Sequence, residues 1–161
     1  ICLLIFFRIL KEQSLKGKSK SFWKIPANIK HKIFPTSQKK AKVERVVDGD
    51  TLVLENGSVV RYVGITAPEN NEPFEKESTN ENRELVEGKT VSLEYDNYKG
   101  DKFGRILAYV ILDNKNIFVE LARKGLAQVV VYQHKKPFIY QDQLLKAQEE
   151  ARKNRRGIWS K

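Results

Sequence analysis

The chain has 161 residues, enough for one domain with its own core plus an appendage, and its single cysteine, Cys2, excludes a disulfide framework or a cysteine-based metal cluster. It carries 30 Lys and Arg against 20 Asp and Glu, but residues 1–42 hold 11 of the basic residues and only one of the acids. The remaining body is therefore neutral overall, so the basic isoelectric point does not by itself indicate nucleic-acid binding by the body.

Two N-terminal segments lie outside the predicted folded domain. The apolar run at 1–7 is too short to span a bilayer and is expected to be the remnant of a signal peptide or membrane anchor; the bland alternative is a fraying hydrophobic end. Residues 8–41 are rich in Lys, Ser, Gln and Asn and are predicted to be a flexible basic linker. This arm would either hold anionic lipid or substrate phosphates or serve only as a solvated tether. The protein is therefore expected to be exported or membrane-attached.

From Lys42 onward the pattern predicts a meander of three strands, at 42–47, 51–54 and 59–65. The turn Asp48-Gly49-Asp50 joins the first two. Asn56-Gly57 is a strong two-residue hairpin signal between the second and the third.

Helices and strands alternate in the rest of the chain. Pro73 suits the first position of a helix and Gly88 suits the residue after its end. Two further strands are predicted at 90–95 and 105–112, and two further helices near 119–124 and at 140–154. The predicted fold class is α+β: a five-stranded OB-fold-like β-barrel with about three helices over residues 42–161, preceded by the flexible basic arm.

Acids and cations recur at the predicted strand ends. Asp48 and Asp50 flank a glycine and suit a hard cation, although an Asp-Gly turn is usually only a turn. Arg61 lies within a strand, where a solvent-facing charge is the simpler interpretation. Arg105 enters the fifth strand, where a guanidinium could hold two phosphate oxygens, although a charged loop before the strand is the better explanation in isolation.

Taken together, these motifs resemble the staphylococcal nuclease (thermonuclease) family. In chain order they are Asp-Gly-Asp-Thr at 48–51, Arg61, Ala-Pro-Glu at 67–69, Asp-Lys-Phe-Gly-Arg at 101–105 and Gly-Ile-Trp-Ser at 157–160. The likeness runs from about Lys42 to Ser160. It implies Ca²⁺-dependent hydrolysis of DNA and RNA with low sequence specificity on a small barrel.

The resemblance also implies roles for individual residues. Arg61 and Arg105 would bind the phosphate, and Glu69 would act as general base or orient the water. The implied metal site consists of Asp50, with Asp48, Thr66 and the backbone carbonyl of Ala67 beside it. Lys102 would lie near the nucleotide's terminal phosphate.

A polar loop late in the chain offers further contacts to nucleic acid. Tyr132 falls near the tyrosines that flank the nucleotide in the family, and Lys135 and Lys136 add charge beside it. A solvated loop is the alternative for these lysines and the better one for His134. Single strands are the favoured substrates, no protein partner is predicted, and the chain is expected to be a monomer.

One position departs from the family pattern. Thr66 stands where the family usually has a second metal-binding aspartate, so we expect weaker Ca²⁺ binding than usual. The departure also keeps a rival open, namely a catalytically weak or inactive OB-type module that only binds nucleic acid. A third, weaker idea is a membrane-surface protein whose barrel binds another partner.

Overall fold

A computed structural model describes residues 39–132 and 136–160, which lie within one compact unit. The segment 1–7, most of the predicted linker, and His134 and Lys135 lie outside the described residues. Within the two described ranges, no helix combines the length and the hydrophobicity that crossing a membrane requires.

The described chain contains eight strands and three α-helices. The strands are β1 (Lys39–Asp48), β2 (Thr51–Leu54), β3 (Val59–Tyr62), β4 (Ile65–Thr66), β5 (Thr90–Glu94), β6 (Ile106–Leu112), β7 (Lys115–Asn116) and β8 (Gln128–Val129). The helices are α1 (Glu75–Val86), α2 (Ile117–Arg123) and α3 (Gln141–Lys153), and a 3₁₀ turn follows at Gly157–Trp159.

Five of the strands close into a barrel. The first half of β1 pairs with β5 and its second half pairs with β2, so this one long strand serves both sides of the barrel. Antiparallel pairing continues from β2 to β3 and from β5 to β6, and the parallel pairing of β3 with β6 closes the ring. The predicted α+β fold with a five-stranded OB-like barrel and three helices is confirmed.

Apolar side chains fill the barrel and the space beneath the helices. Leu52, Val60 and Tyr109 are completely or almost completely buried, as is Phe118 of α2. Leu144 of α3 is buried as the amphipathic pattern predicts. Its neighbour Leu145 is 40% exposed, although the apolar pattern of this helix predicts both leucines on the buried side.

The boundaries of several elements differ from the prediction. Strand β1 begins at Lys39 and not Lys42, since pairing with β5 satisfies the backbone of a lysine-rich stretch that composition had assigned to the linker. The third strand ends at Tyr62 and not Ile65, where a turn separates it from β4. Helix α1 begins at Glu75, because Phe74 adopts a left-handed conformation with φ of 70°.

Gly64 forms the turn between β3 and β4. Its φ of +81° lies in the region that glycine adopts most readily. A Cβ at this position would lie 2.7 Å from ring atom Cε2 of Phe138 and 2.9 Å from Cδ1 of Leu144. The Gly64 carbonyl also accepts a hydrogen bond from the N–H of Val130 at 3.0 Å. The turn is therefore packed tightly against the chain that follows β8.

We expect Gly64→Ala to destabilise the protein more than Gly57→Ala does. Gly57 has nearly the same φ, +79°, but an added methyl group there would have no neighbour within 4 Å, so this variant isolates the backbone strain of about 1 kcal/mol. The Phe138 clash should add about 1–3 kcal/mol for Gly64→Ala. Urea unfolding of both variants measures the difference, and equal losses would contradict the tight packing.

Candidate active site

The turn between β1 and β2 carries a buried carboxylate. Asp50 is 5% exposed, and its Oδ2 accepts a hydrogen bond from the N–H of Ala67 at 2.6 Å. Its Oδ1 accepts one from the hydroxyl of Thr51 at 2.9 Å. Asp48 shapes the turn locally, because its Oδ1 accepts the N–H of Asp50 at 2.9 Å. Asp48 thus stabilises the turn itself, whereas Asp50 connects the turn to the backbone at Ala67.

Helix α1 supports the turn from behind. Nδ2 of Asn82, a fully buried residue, donates to the carbonyl of Asp48 at 2.9 Å, and Oδ1 of Asn82 accepts the hydroxyl of Tyr62 at 2.8 Å. A Cβ at Gly49 would lie 1.9 Å from Oγ of Ser78, so only glycine fits between the turn and the helix. The backbone of Asp50 is therefore held before any ligand arrives.

Arg61 is the charged partner of Asp50. Its Nη1 lies 2.9 Å from Oδ2 of Asp50 and donates to the carbonyl of Ile65 at 2.9 Å, while Nη2 donates to the hydroxyl of Thr66 at 3.3 Å. The side chain is only 18% exposed. A solvent-facing charge, the simpler interpretation of Arg61 when it is taken alone, is therefore wrong, since the barrel directs the side chain toward the turn residues.

Burial dominates the acidity of Asp50. Loss of solvent raises its pKa, and the Arg61 charge, the Ala67 N–H and the Thr51 hydroxyl only partly oppose this effect, so the pKa lies at about 7. The nearby Asp48 charge raises it further. Near neutral pH the protonated and ionised forms of this carboxyl are therefore both populated, and a further cation beside it would stabilise the ionised form.

A cleft of about 610 Å³ opens beside Arg61. Five of the site residues singled out from the sequence line it together: Arg61, Lys102, Arg105, Tyr132 and Lys136. These residues come from β3, from the loop before β6 and from either side of residues 133–135, so the fold brings together groups that are far apart in the chain. Both arginines border the same space.

Arg105 is held in place by an acid of its own loop. Its Nε donates to Oδ2 of Asp101 at 2.7 Å, and its backbone N–H donates to Oδ1 of Asp101 at 3.0 Å. Desolvation raises the pKa of Asp101, but these hydrogen bonds together with the Phe103 N–H outweigh it and leave the pKa below its usual range. The ionised carboxylate thus orients the guanidinium at the mouth of the cleft.

Phe103 is a cleft residue that the sequence interpretation missed. The residue is 71% exposed, with Nζ of Lys102 at 5.0 Å and Cζ of Arg105 at 5.5 Å from the ring centroid. Tyr132, which also lines the cleft, is 62% exposed. An aromatic residue between two cations in a polar loop is the signal that would have identified Phe103.

Of the remaining predicted site residues, Thr66 and Ala67 lie beside Asp50, and Glu69 lies outside the lining of the cleft. Thr66 and Ala67 both contact the Asp50–Arg61 pair. Glu69 follows on the exposed loop, where its N–H donates to Oε2 of Glu72 at 2.8 Å, and it is not among the residues lining the cleft. Over residues 39–132 and 136–160, His, Cys, Asp and Glu nowhere form a group of three suited to a metal.

Comparison with known proteins gives a consistent set of relatives. The family described as "Staphylococcal nuclease homologue" matches residues 59–161. The chain is 40% identical over 132 residues to the SPbeta prophage-derived endonuclease YokF of Bacillus subtilis, and 37% identical over 132 residues to the endonuclease YncB of the same organism. It is 34% identical over 128 residues to the thermonuclease of Staphylococcus hyicus.

The coverage of these relatives is uneven. Each match takes in 74% of this chain. The matched part spans 43% of YokF, 61% of YncB and 75% of the Staphylococcus hyicus protein. The first relative is therefore more than twice as long as the part that this chain resembles.

We expect the stability of the metal-free protein to depend on the ionisation of Asp50. Because the folded state holds this proton more tightly than the unfolded state, its contribution is fully present below about pH 4 and is lost as the pH rises toward 7. Asp50→Asn cannot ionise, so its free energy of unfolding should lack this decline. Urea titrations from pH 4 to 8 in a chelator compare the two proteins, and parallel pH profiles would contradict the assignment.

Proposed function

The chain belongs to the staphylococcal nuclease family, and from that premise we propose that it is a metal-dependent endonuclease hydrolysing DNA and RNA with low sequence specificity. The observation that carries this proposal is the placement of Arg61 and Arg105 on one cleft, with the buried Asp50 paired to Arg61. Phosphodiester hydrolysis needs cationic groups fixed where negative charge grows on the phosphate, and this arrangement supplies them.

The cleft suits a single-stranded substrate. Exposed rings at Phe103 and Tyr132 offer stacking surfaces for bases, and Lys102 and Lys136 offer charges to the backbone. These groups contact the faces of bases and the phosphates, which every nucleotide presents, and not the base edges that encode sequence. Low sequence specificity and acceptance of both DNA and RNA follow from this chemistry.

The residues around Asp50 fit a divalent cation of the Ca²⁺ type. The donors are the Asp50 carboxylate, the Thr66 hydroxyl and the Ala67 carbonyl, with Asp48 close by, and all of them offer the oxygen atoms that Ca²⁺ prefers. Burial already raises the pKa of Asp50, so this carboxylate gains from a second positive charge. When bound, the cation would supply positive charge beside the reacting phosphate. With Thr66 in place of an acid, Ca²⁺ is held more weakly than usual.

The protein's own groups carry out the rest of the reaction. Glu69 accepts a proton from the attacking water, whose oxygen forms a bond to phosphorus as the bond to the leaving ester oxygen breaks. The leaving oxygen takes a proton from solvent. Arg61 and Arg105 stabilise the negative charge that grows on the other phosphate oxygens. Glu69 lies on the exposed loop that follows Ala67, so its carboxylate is accessible from solvent.

The rival function is binding without efficient catalysis, and Thr66 is the observation that favours it. The presence of Glu69 argues against it, because a negative charge repels phosphate and has no use in a protein that only binds nucleic acid. The two functions differ in one measurable outcome. A nuclease cuts single-stranded DNA in Ca²⁺ and stops in a chelator, whereas a binding module retains the strand uncut in both conditions.

We expect Glu69→Gln to lower kcat for single-stranded DNA by about 10²–10⁴-fold, because it removes the proton acceptor. Affinity for the strand should be unchanged or slightly higher, since one negative charge is lost. Glu77→Gln makes the same charge change on the exposed face of α1 and should cut at the wild-type rate. Gel-based cleavage and fluorescence anisotropy give both quantities. Undiminished cleavage by Glu69→Gln would refute the role of Glu69.

We expect Thr66→Asp to raise Ca²⁺ affinity by about tenfold, because Ca²⁺ sites tighten with each added carboxylate. Thr66→Asn is the matched control, since it has nearly the same shape without the charge and should show no such gain. Isothermal titration of Ca²⁺ into the three proteins measures the affinities directly. Equal affinities for the Asp and Asn variants would place the cation elsewhere.

A further inference from the structure

Residues 136–140, called here the lip segment, form one border of the cleft. Lys136 and Phe138 line the cleft, and helix α3 begins directly after the segment. Phe138 also packs against the β3–β4 turn, at Gly64. The position of Lys136 relative to Arg61 and Arg105 therefore depends on what holds the lip segment to the barrel.

Asp96, just beyond the end of β5, is the first anchor of this segment. Its Oδ2 accepts a hydrogen bond from the hydroxyl of Tyr109 at 2.7 Å and another from the N–H of Ile139 at 3.1 Å. Tyr109 is a completely buried residue of β6, so this carboxylate connects the lip segment to the barrel core.

Glu94, two residues earlier, is the second anchor. It is only 2% exposed, and its Oε2 accepts the hydroxyl of Tyr140 at 2.6 Å. The ring of Tyr140 packs edge-on against Tyr109 and Phe118, with centroids 4.8 and 5.3 Å away. The two acids at the end of β5 thus hold two successive residues of the lip segment.

Glu94 is placed unfavourably for stability, and Asp96 is placed unfavourably for binding a negatively charged substrate. Within the described residues, Oε1 of Glu94 is buried without a hydrogen-bond partner, and such a group costs desolvation free energy that one hydroxyl does not offset. Asp96 lines a cleft that, on the proposed function, holds a polyanion. Its negative charge alone should repel that substrate. A compensating benefit is therefore expected, and the hydrogen bonds to the lip segment supply one.

We propose that Asp96 and Glu94 are positioning residues that hold the lip segment in the position in which the cleft binds substrate. The inference rests on the proposed nuclease function. The acids do not contact substrate themselves; they act through Ile139 and Tyr140. If Asp96 acted only through its negative charge, its removal should strengthen substrate binding. Because its carboxylate holds the lip segment, we expect its removal to weaken substrate binding instead.

The test compares two substitutions at position 96 that remove the same charge. Asp96→Asn keeps an oxygen that can accept from Tyr109 and Ile139 and loses only the exposed contact to the N–H of Asn97. Asp96→Ala removes the acceptor as well. For single-stranded DNA in Ca²⁺, we expect Asp96→Ala to raise KM by about tenfold with kcat changed less than about threefold. Asp96→Asn should have a KM at or below that of the wild type.

Two further variants separate positioning from general destabilisation. Val86→Ala creates a cavity in the core beneath α1 and should lower the thermal midpoint while leaving KM unchanged. Tyr140→Phe keeps the ring but loses the bond to Glu94, and it should raise KM in the same direction as Asp96→Ala. It also provides the test if Asp96→Ala does not fold.

The outcomes distinguish the inference from the function on which it rests. If the wild type neither binds nor cuts the strand, the proposed function fails and this inference fails with it. If the wild type cuts but Asp96→Ala and Tyr140→Phe keep its KM, the positioning role alone is refuted. An equal rise in KM for Asp96→Asn and Asp96→Ala would also refute it, because charge and not the acceptor would then matter.

Discussion

The contact between Asp50 and Arg61 is the constraint on which the site depends. It joins the β1–β2 turn to the end of β3, and the same guanidinium reaches the β4 backbone and the Thr66 hydroxyl. A buried pair of this kind contributes little net stability, because the desolvation of both charges offsets their attraction. Its main effect is geometric, since the carboxylate and the guanidinium fix each other's orientation at the edge of the cleft.

The closure of the barrel sets the spacing of the two arginines. Strand β3 pairs in parallel with β6, and Arg61 lies opposite Leu107 in that register. Arg105 precedes Leu107 by two residues, so both guanidinium groups emerge near the seam where the barrel closes. The acids beside them, Asp50 and Asp101, restrict their side-chain freedom before substrate arrives. Such preorganisation reduces the side-chain entropy that the two arginines would lose when they bind a phosphate.

Strand patterns and turn residues predicted the barrel well because they are local signals. The hairpin at Asn56-Gly57 and the alternation in β5 are read within a few residues. The sequence could not show where a strand begins or ends because of a residue or strand far along the chain. Lys39 enters a strand only because β5 lies beside it, and Gly64 breaks the third strand where Phe138 packs from far along the chain. The direction of Arg61 was equally undecided, since it depends on the burial of Asp50, two strands earlier.

Thr66 changes the charge balance of the site in two opposing ways. With no acid at position 66, the carboxyl of Asp50 contacts one cationic side chain among the described residues, that of Arg61, while the nearby Asp48 charge disfavours its ionised form. A second carboxylate at position 66 would repel the first and raise the cost of the empty site, while it would also attract a divalent cation more strongly. On the proposed function, Thr66 would therefore favour the cation-free form relative to a form with Ca²⁺ bound. The hydroxyl still accepts from Arg61, so the change alters the affinity for a cation more than the geometry of the arginine that faces the cleft.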